Sequence, residues 1–197
     1  MWLLIILNML IAVTGTPGVG KTTLSKMISS DFKLKHIDFE GLLIENKLYI
    51  EYDESSGSYV IDADRARDYF NSLSFEDAVL DGHNVILIYP CEKIDYVILL
   101  RCSPYVLYDR MKRKGYADNK IIENIQAEIL DIVASDVYNN CEVRKVMEID
   151  VSEGVDRKYP LVKKFLRGDF PEGYRERVDW LSLVVDKGDL NRFMRPL

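Results

Sequence analysis

Cysteine is scarce and unpatterned in this chain. Of 197 residues only Cys91, Cys102 and Cys141 carry thiols, they lie far apart, and no C-x-x-C pair occurs. That spacing excludes the common zinc sites. An odd number of separated thiols fits small buried apolar side chains in a reducing, cytoplasmic setting. Excess positive charge is missing as well. A formal net charge of −6 argues against a protein held by nucleic-acid phosphates, and so against stable direct DNA binding, while it leaves room for a basic protein partner. Long hydrophobic runs are absent too. The most apolar stretch, MWLLIILNMLIAV, is interrupted by Asn8, is too short to span a bilayer, and has neither a basic leader nor a convincing cleavage site. Residues 1–8 read as an upstream extension with the functional start at Met9, a membrane anchor being the weaker alternative. There is no internal repeat and no low-complexity tract.

What is present is concentrated in residues 14–23, TGTPGVGKTT. Gly15, Gly20, Lys21 and Thr22 satisfy G-x-x-x-x-G-K-[ST], with Gly18 an additional glycine inside the loop. The apolar run Leu10–Val13 precedes it as a buried strand, and Leu24, Met27 and Ile28 follow at helical spacing. Glycines let backbone N–H groups turn inward around phosphate oxygens at a helix N-terminus. Lys21 is placed to reach the β- and γ-phosphates of a nucleoside triphosphate and Thr22 to ligate Mg²⁺. An N-K-x-D base-reading motif is lacking: Asn46-Lys47 runs into Leu-Tyr and Asn119-Lys120 into Ile-Ile, which argues against a GTPase.

Further strands are expected at 34–37, 78–81, 96–100 and 145–150, separated by helical stretches. Right-handed crossovers then give an α/β, three-layer P-loop NTPase fold resembling nucleoside monophosphate kinases, with a five-stranded parallel sheet. The core spans about 9–151. Within it lies an acceptor insert at about 38–73, read as two helical pieces joined by the loop EYDESSGSY, and a lid at about 112–122. A long helix KIIENIQAEILDIVASDVY should place Ile121, Ile125, Ile129 and Ile132 on one core face. Residues 152–197 read as a C-terminal helical segment on the core, ending in a mobile tail, LNRFMRPL.

The strand AVLD ends in Asp81, the expected carboxylate for the Mg²⁺ shell, acting through water. His83 projects from the same edge and is a catalytic candidate, a structural role being about as plausible. In the lid, Arg110, Arg113 and Lys114 flank Gly115, where cations can swing onto transferring phosphates; a solvated basic helix end is the alternative for each alone. Arg65 is a candidate ligand for the acceptor phosphate, with an ordinary surface arginine as the competing reading.

Taken together, TGTPGVGKTTL, VLDGH, LR-x-x-P-x-VLYDR, RKGY and ENIQAEI resemble the adenylate kinase isoenzyme 6 family, also described as a coilin-interacting nuclear ATPase, over about residues 9–150. The resemblance implies ATP:AMP phosphotransfer, ATP hydrolysis, and a role in maturation of the small ribosomal subunit through a ribosomal protein. It assigns Gly18, Gly20, Lys21, Thr22 and Thr23 to ATP, and Asp81 with His83 to the Walker B pair. Two departures stand out. Ile44 occupies a place where the family often carries Arg, and Lys114 replaces an Arg, keeping the charge but losing the bidentate fork. Both bear more on AMP phosphorylation than on ATP binding. The expected function is a Mg²⁺-dependent adenylate kinase with ATPase activity, its partners ATP, ADP, AMP, and a basic small-subunit ribosomal protein within a pre-ribosomal particle. The alternatives are an ATP-hydrolysing assembly factor with incidental kinase activity and, less favoured, a small-metabolite kinase.

Overall fold

The computed structural model describes residues 9–54, 57–176 and 178–194; the expected upstream extension, 1–8, lies outside them. The strands are β1 (Leu10–Gly15), β2 (Lys35–Asp38), β3 (Tyr49–Asp53), β4 (Ser58–Ile61), β5 (Ala78–Asp81), β6 (Tyr96–Arg101) and β7 (Val146–Asp150). The helices are α1 (Lys21–Phe32), α2 (Phe39–Glu45), α3 (Ala63–Asn71), α4 (Val85–Ile88), α5 (Pro104–Arg113), α6 (Asp118–Ile129), α7 (Ile132–Asn140), α8 (Val155–Leu166), α9 (Trp180–Asp186) and α10 (Leu190–Phe193). None of the described helices is long and apolar enough to cross a membrane.

Five strands form one parallel sheet in the order β2-β5-β1-β6-β7. β1 is central and buried along its whole length, which is why its sequence is apolar without alternation. Its side chains nevertheless alternate between layers. Ile11 and Val13, with Ile98, Leu100, Met147 and Ile149, pack against α1, α6 and α8. Leu10 and Ala12, with Leu80 and Leu99, pack against Phe39 of α2, Phe70 of α3 and Val137 of α7. From β1 the chain builds β2 and β5 on one side of it and then crosses to β6 and β7 on the other, so a crevice opens at the carboxyl ends beside the glycine loop. Gly15 closes β1 at φ 141°, and a Cβ there would lie 2.4 Å from the Leu100 carbonyl oxygen on β6. The first glycine of the motif is thus required by the sheet.

Several expectations change. The long helix is broken: Asp131 takes a left-handed conformation, φ 56°, so Ile121, Ile125 and Ile129 are buried while Ile132 is 49% exposed. The break carries the chain from one apolar layer to the other, because α6 packs with α1 and α8 whereas Ala134 and Val137 of α7 face the opposite side. The insert's supposed loop holds an antiparallel hairpin, β3 with β4. Tyr59 stacks there on Tyr49 and Tyr52 at 4.5 and 5.0 Å between ring centroids. α4, directly after His83, was not expected. The reading of three separate thiols is corrected as well. Cys91 and Cys141 form a disulfide with Cα atoms 5.5 Å apart, because the turn before β6 and the end of α7 meet under the same layer, and only Cys102 is free.

The C-terminal segment runs back along the sheet. Glu148 N–H donates to the Tyr174 carbonyl at 2.8 Å and Glu176 N–H donates to the Glu148 carbonyl at 3.0 Å, so Arg175 pairs in parallel with the edge of β7. α9 follows and buries Trp180 and Val184. Part of the supposed mobile tail is helical, since α10 buries Phe193 against Tyr105 and Tyr108.

Candidate active site

The glycine loop joins the end of β1 to α1. Gly18 and Gly20 take φ 93° and 121°, and Cβ atoms there would come within 3.0 Å of Leu107 and Met111 of α5 and of Val155 of α8. The Lys21 ammonium donates to the Gly15 and Thr16 carbonyls at 2.9 and 3.2 Å. Desolvation pushes its pKa down to about 8, against the opposing pull of Glu40, Asp81 and Glu128.

One cavity brings together Gly18, Gly20, Lys21, Thr22, Thr23, Asp81, His83 and Lys114, along with Asp38, Glu40 and Tyr116. Asp81, at the tip of β5, is held at 3.1 Å by His36 Nε2 from the neighbouring strand β2. His83 Nδ1 lies 2.8 Å from Glu40 Oε1. Glu40 also accepts from the backbone N–H groups of His83 and Asn84 at 2.9 and 3.1 Å and from Asn84 Nδ2 at 3.1 Å. Burial raises the Glu40 pKa, but the bonds from His83 and Asn84 and the His83 charge outweigh it and hold the carboxyl at about 2. On the far side of the ring, His83 Nε2 lies 3.1 Å from Asn84 Nδ2.

Glu40 and His36 are the residues that sequence reasoning missed here. The available signal was position alone: both lie within three residues of the carboxyl end of β2, beside the loop.

Arg110 is elsewhere than expected. Its guanidinium lies behind the loop and donates to the carbonyls of Val19 at 2.9 Å, Val151 at 2.8 Å and Ser152 at 3.0 Å. It braces the loop rather than facing the cavity, because α5 begins at the end of β6 and its first turns pass beneath the glycines. Arg113 donates back to Asp109 of its own helix, so Lys114 is the lid cation that lines the cavity. Arg65 is 60% exposed, sits near Asp62 at 3.7 Å, and lines neither this cavity nor the adjoining groove.

That groove lies between the β3–β4 hairpin, α4 and the start of α6, and shares Pro17, Glu40, His83 and Tyr116 with the phosphate cavity. It is lined by Ile44, Tyr59, Ile61 and Leu87, by the carboxylates Glu40, Asp53, Glu123 and Asp136, and by Lys120. Among the described residues no three Asp, Glu, His or Cys side chains form a metal cage. A nucleotide-bound magnesium ion takes most of its oxygens from phosphate and water, and the Thr22 hydroxyl and Asp81 carboxylate in one cavity are donors of the right hardness.

A parallel sheet with a glycine loop at its central strand, a lysine at the head of the next helix and a carboxylate at the adjacent strand tip define a P-loop NTPase of the kinase type. A solved structure of shikimate kinase from Bacteroides thetaiotaomicron superposes on 82% of this chain and 99% of its own, with a TM-score of 0.59 at 20% identity, a likeness of fold. Residues 11–131 match the family model described as AAA domain. A Methanocaldococcus jannaschii protein named "Putative adenylate kinase" is 42% identical over 147 residues, covering 73% of this chain and 77% of its own. The Dictyostelium discoideum adenylate kinase isoenzyme 6 homolog is 33% identical over 144 residues, covering 71% and 79%. The protein belongs to the adenylate kinase isoenzyme 6 family.

Proposed function

We propose that this protein transfers the γ-phosphoryl group of Mg·ATP to AMP, yielding two ADP. The observation that carries this reading is the continuity of the two cavities. The phosphate cavity opens into the groove under the insert through Pro17, Glu40, His83 and Tyr116, so a donor and an acceptor can meet in line. In the transfer an anionic oxygen of the AMP phosphate forms the new O–P bond while the bond from the γ-phosphorus to the β,γ-bridging oxygen breaks. The acceptor is already ionised, and no strong base is needed. Lys21 exchanges its two loop carbonyls for phosphate oxygens, and Lys114 adds charge from the lid side. Arg110 keeps the loop rigid from behind, which supports the transition state through positioning. Magnesium, when bound, neutralises charge on the phosphates; Thr22 would hold it, with Asp81 acting through water.

A second reading is favoured by the lining of the groove. Four carboxylates face it with Lys120, and Ile44 stands where a phosphate-binding arginine was sought, which suits a basic protein segment better than a second anion. In this reading the protein is an ATP-hydrolysing factor acting with a basic ribosomal protein in small-subunit assembly. His83, fixed by Glu40, orients the attacking water.

Measuring ADP production from Mg·ATP with and without AMP, in the parent and in His83→Ala, separates the two. A large AMP-dependent rate supports the kinase. A slow rate indifferent to AMP and lost in the variant supports the ATPase. Unchanged rates in Lys21→Ala would overturn both.

A further inference from the structure

Glu128 is almost fully buried, in the middle of the protein, and the phosphoryl-transfer chemistry above makes no use of it. Its side chain is 2% exposed. One carboxylate oxygen accepts the hydroxyl of Thr16, inside the glycine loop. The other accepts from Arg101 Nε, from the Cys102 backbone N–H and from Trp180 Nε1, each at 3.0 Å. Arg101 in turn donates to Glu148 Oε1 at 2.7 Å, and the second oxygen of Glu148 accepts from Arg175 Nε at 2.7 Å. Two side chains of the C-terminal segment, Trp180 and Arg175, therefore enter a buried ionic network whose far end is the phosphate loop. Such a network is stiff, because every member left unpaired in the interior is costly.

We propose that Glu128 and Trp180 are positioning residues for the phosphate loop, and that the C-terminal segment thereby sets nucleotide affinity. Thr16 does not point at the ligand; it is 1% exposed. Its hydroxyl instead anchors the loop at the point where the Thr16 carbonyl also holds Lys21. When Trp180 is seated, Glu128 is fixed and so is the loop. When α9 lifts, Glu128 loses one of the three donors on that oxygen, its carboxylate is held less firmly, and the loop's anchor loosens. Anything that grips the segment 174–194 then alters the affinity for nucleotide without touching the cavity.

The proposal rests on the loop binding nucleotide, and the test keeps the two apart. Mg·ATP affinity is measured by titration calorimetry for the parent, Trp180→Phe, Thr16→Val and the double variant, alongside hydrogen exchange of residues 15–22 without ligand. Trp180→Phe keeps a ring in place and removes the donor. Each single variant should bind about tenfold more weakly, the scale of one lost hydrogen bond to a charged acceptor. The double variant should bind little worse than either single one, and loop amides should exchange faster in all three. If the parent binds no Mg·ATP, the nucleotide reading fails, and the exchange data still decide the anchoring. Unchanged affinity and exchange in Trp180→Phe, or strictly additive losses, overturn it. Should Trp180→Phe fail to fold, Trp180 emission serves instead, with Trp2 replaced by Phe. A Mg·ATP-dependent change abolished by Thr16→Val supports the coupling, and no change refutes it.

Discussion

The disulfide offers the sharpest test of the packing around the sheet. Cys91 and Cys141 are separated by 50 residues, and cross-linking a loop of that length removes denatured-state entropy equivalent to about 4 kcal/mol. Replacing both residues by Ala deletes two sulfurs from a buried site, 5% and 8% exposed, adding about 1 kcal/mol of lost packing. The double variant should therefore unfold in guanidinium with about 4–5 kcal/mol less stability. Its thermal midpoint should fall by roughly 8–20 °C for a chain of this size. Its denaturant slope should rise, because the released chain exposes more surface. Either single substitution breaks the same bond, so Cys91→Ala alone should cost nearly as much, and adding Cys141→Ala should cost little more. The remaining thiol does not interfere: burial pushes Cys102 up to about 12, leaving almost no thiolate for exchange. A loss below about 1 kcal/mol would refute the reasoning, since it would mean the cross-link leaves the unfolded ensemble unchanged. Alkylation of three thiols in the unreduced, denatured protein would refute the disulfide itself.

Two further outcomes depend on pH. The Lys21 ammonium must be protonated to hold phosphate, and desolvation lowers its pKa to about 8. Nucleotide affinity should accordingly fall as pH rises through 8, with proton uptake on binding visible by calorimetry in buffers of different ionisation enthalpy; affinity constant from pH 7 to 10 would contradict this. Because the unfolded chain holds this proton up to about 10.5, the same group makes stability rise between about pH 8 and 10.5. Lys21→Met should then abolish binding while stabilising the empty protein at pH 7 by up to about 3 kcal/mol. For Glu40 the sign is opposite. Its pKa drops from 4.5 to about 2 on folding, so its contribution, about 3 kcal/mol, is complete above pH 4.5 and lost as pH falls toward 2. Glu40→Gln should flatten that part of the acid-unfolding curve, and an unchanged curve would remove Glu40 from the account.

Much of this was visible in the residues. The loop, all five strands of the parallel sheet and Asp81 follow from short-range patterns, because a phosphate loop constrains glycine spacing and a buried parallel strand constrains apolar content. What escaped the sequence depends on distance. Arg110 read as a mobile lid cation because its attachment to the Val19, Val151 and Ser152 carbonyls is tertiary and leaves no local mark. Glu40 was one acid among several in a polar insert until β2 and β5 placed it beside His83. Cys91 and Cys141 looked unrelated since only the packing of α7 brings them together. The hairpin was hidden by Ser and Gly near its turn, although Tyr49, Tyr52 and Tyr59 carried the strand preference.

The reversal of the backbone at Asp131 has a thermodynamic side. A single stretch of chain contributes Ile121, Ile125 and Ile129 to one apolar layer and Ala134 and Val137 to the other. Asp131 itself is tied to Arg101 at the end of β6. Neither layer can therefore loosen without pulling on a segment the other is holding. The two faces of the sheet behave as one cooperative unit, and the calorimetric and van't Hoff enthalpies of unfolding should agree.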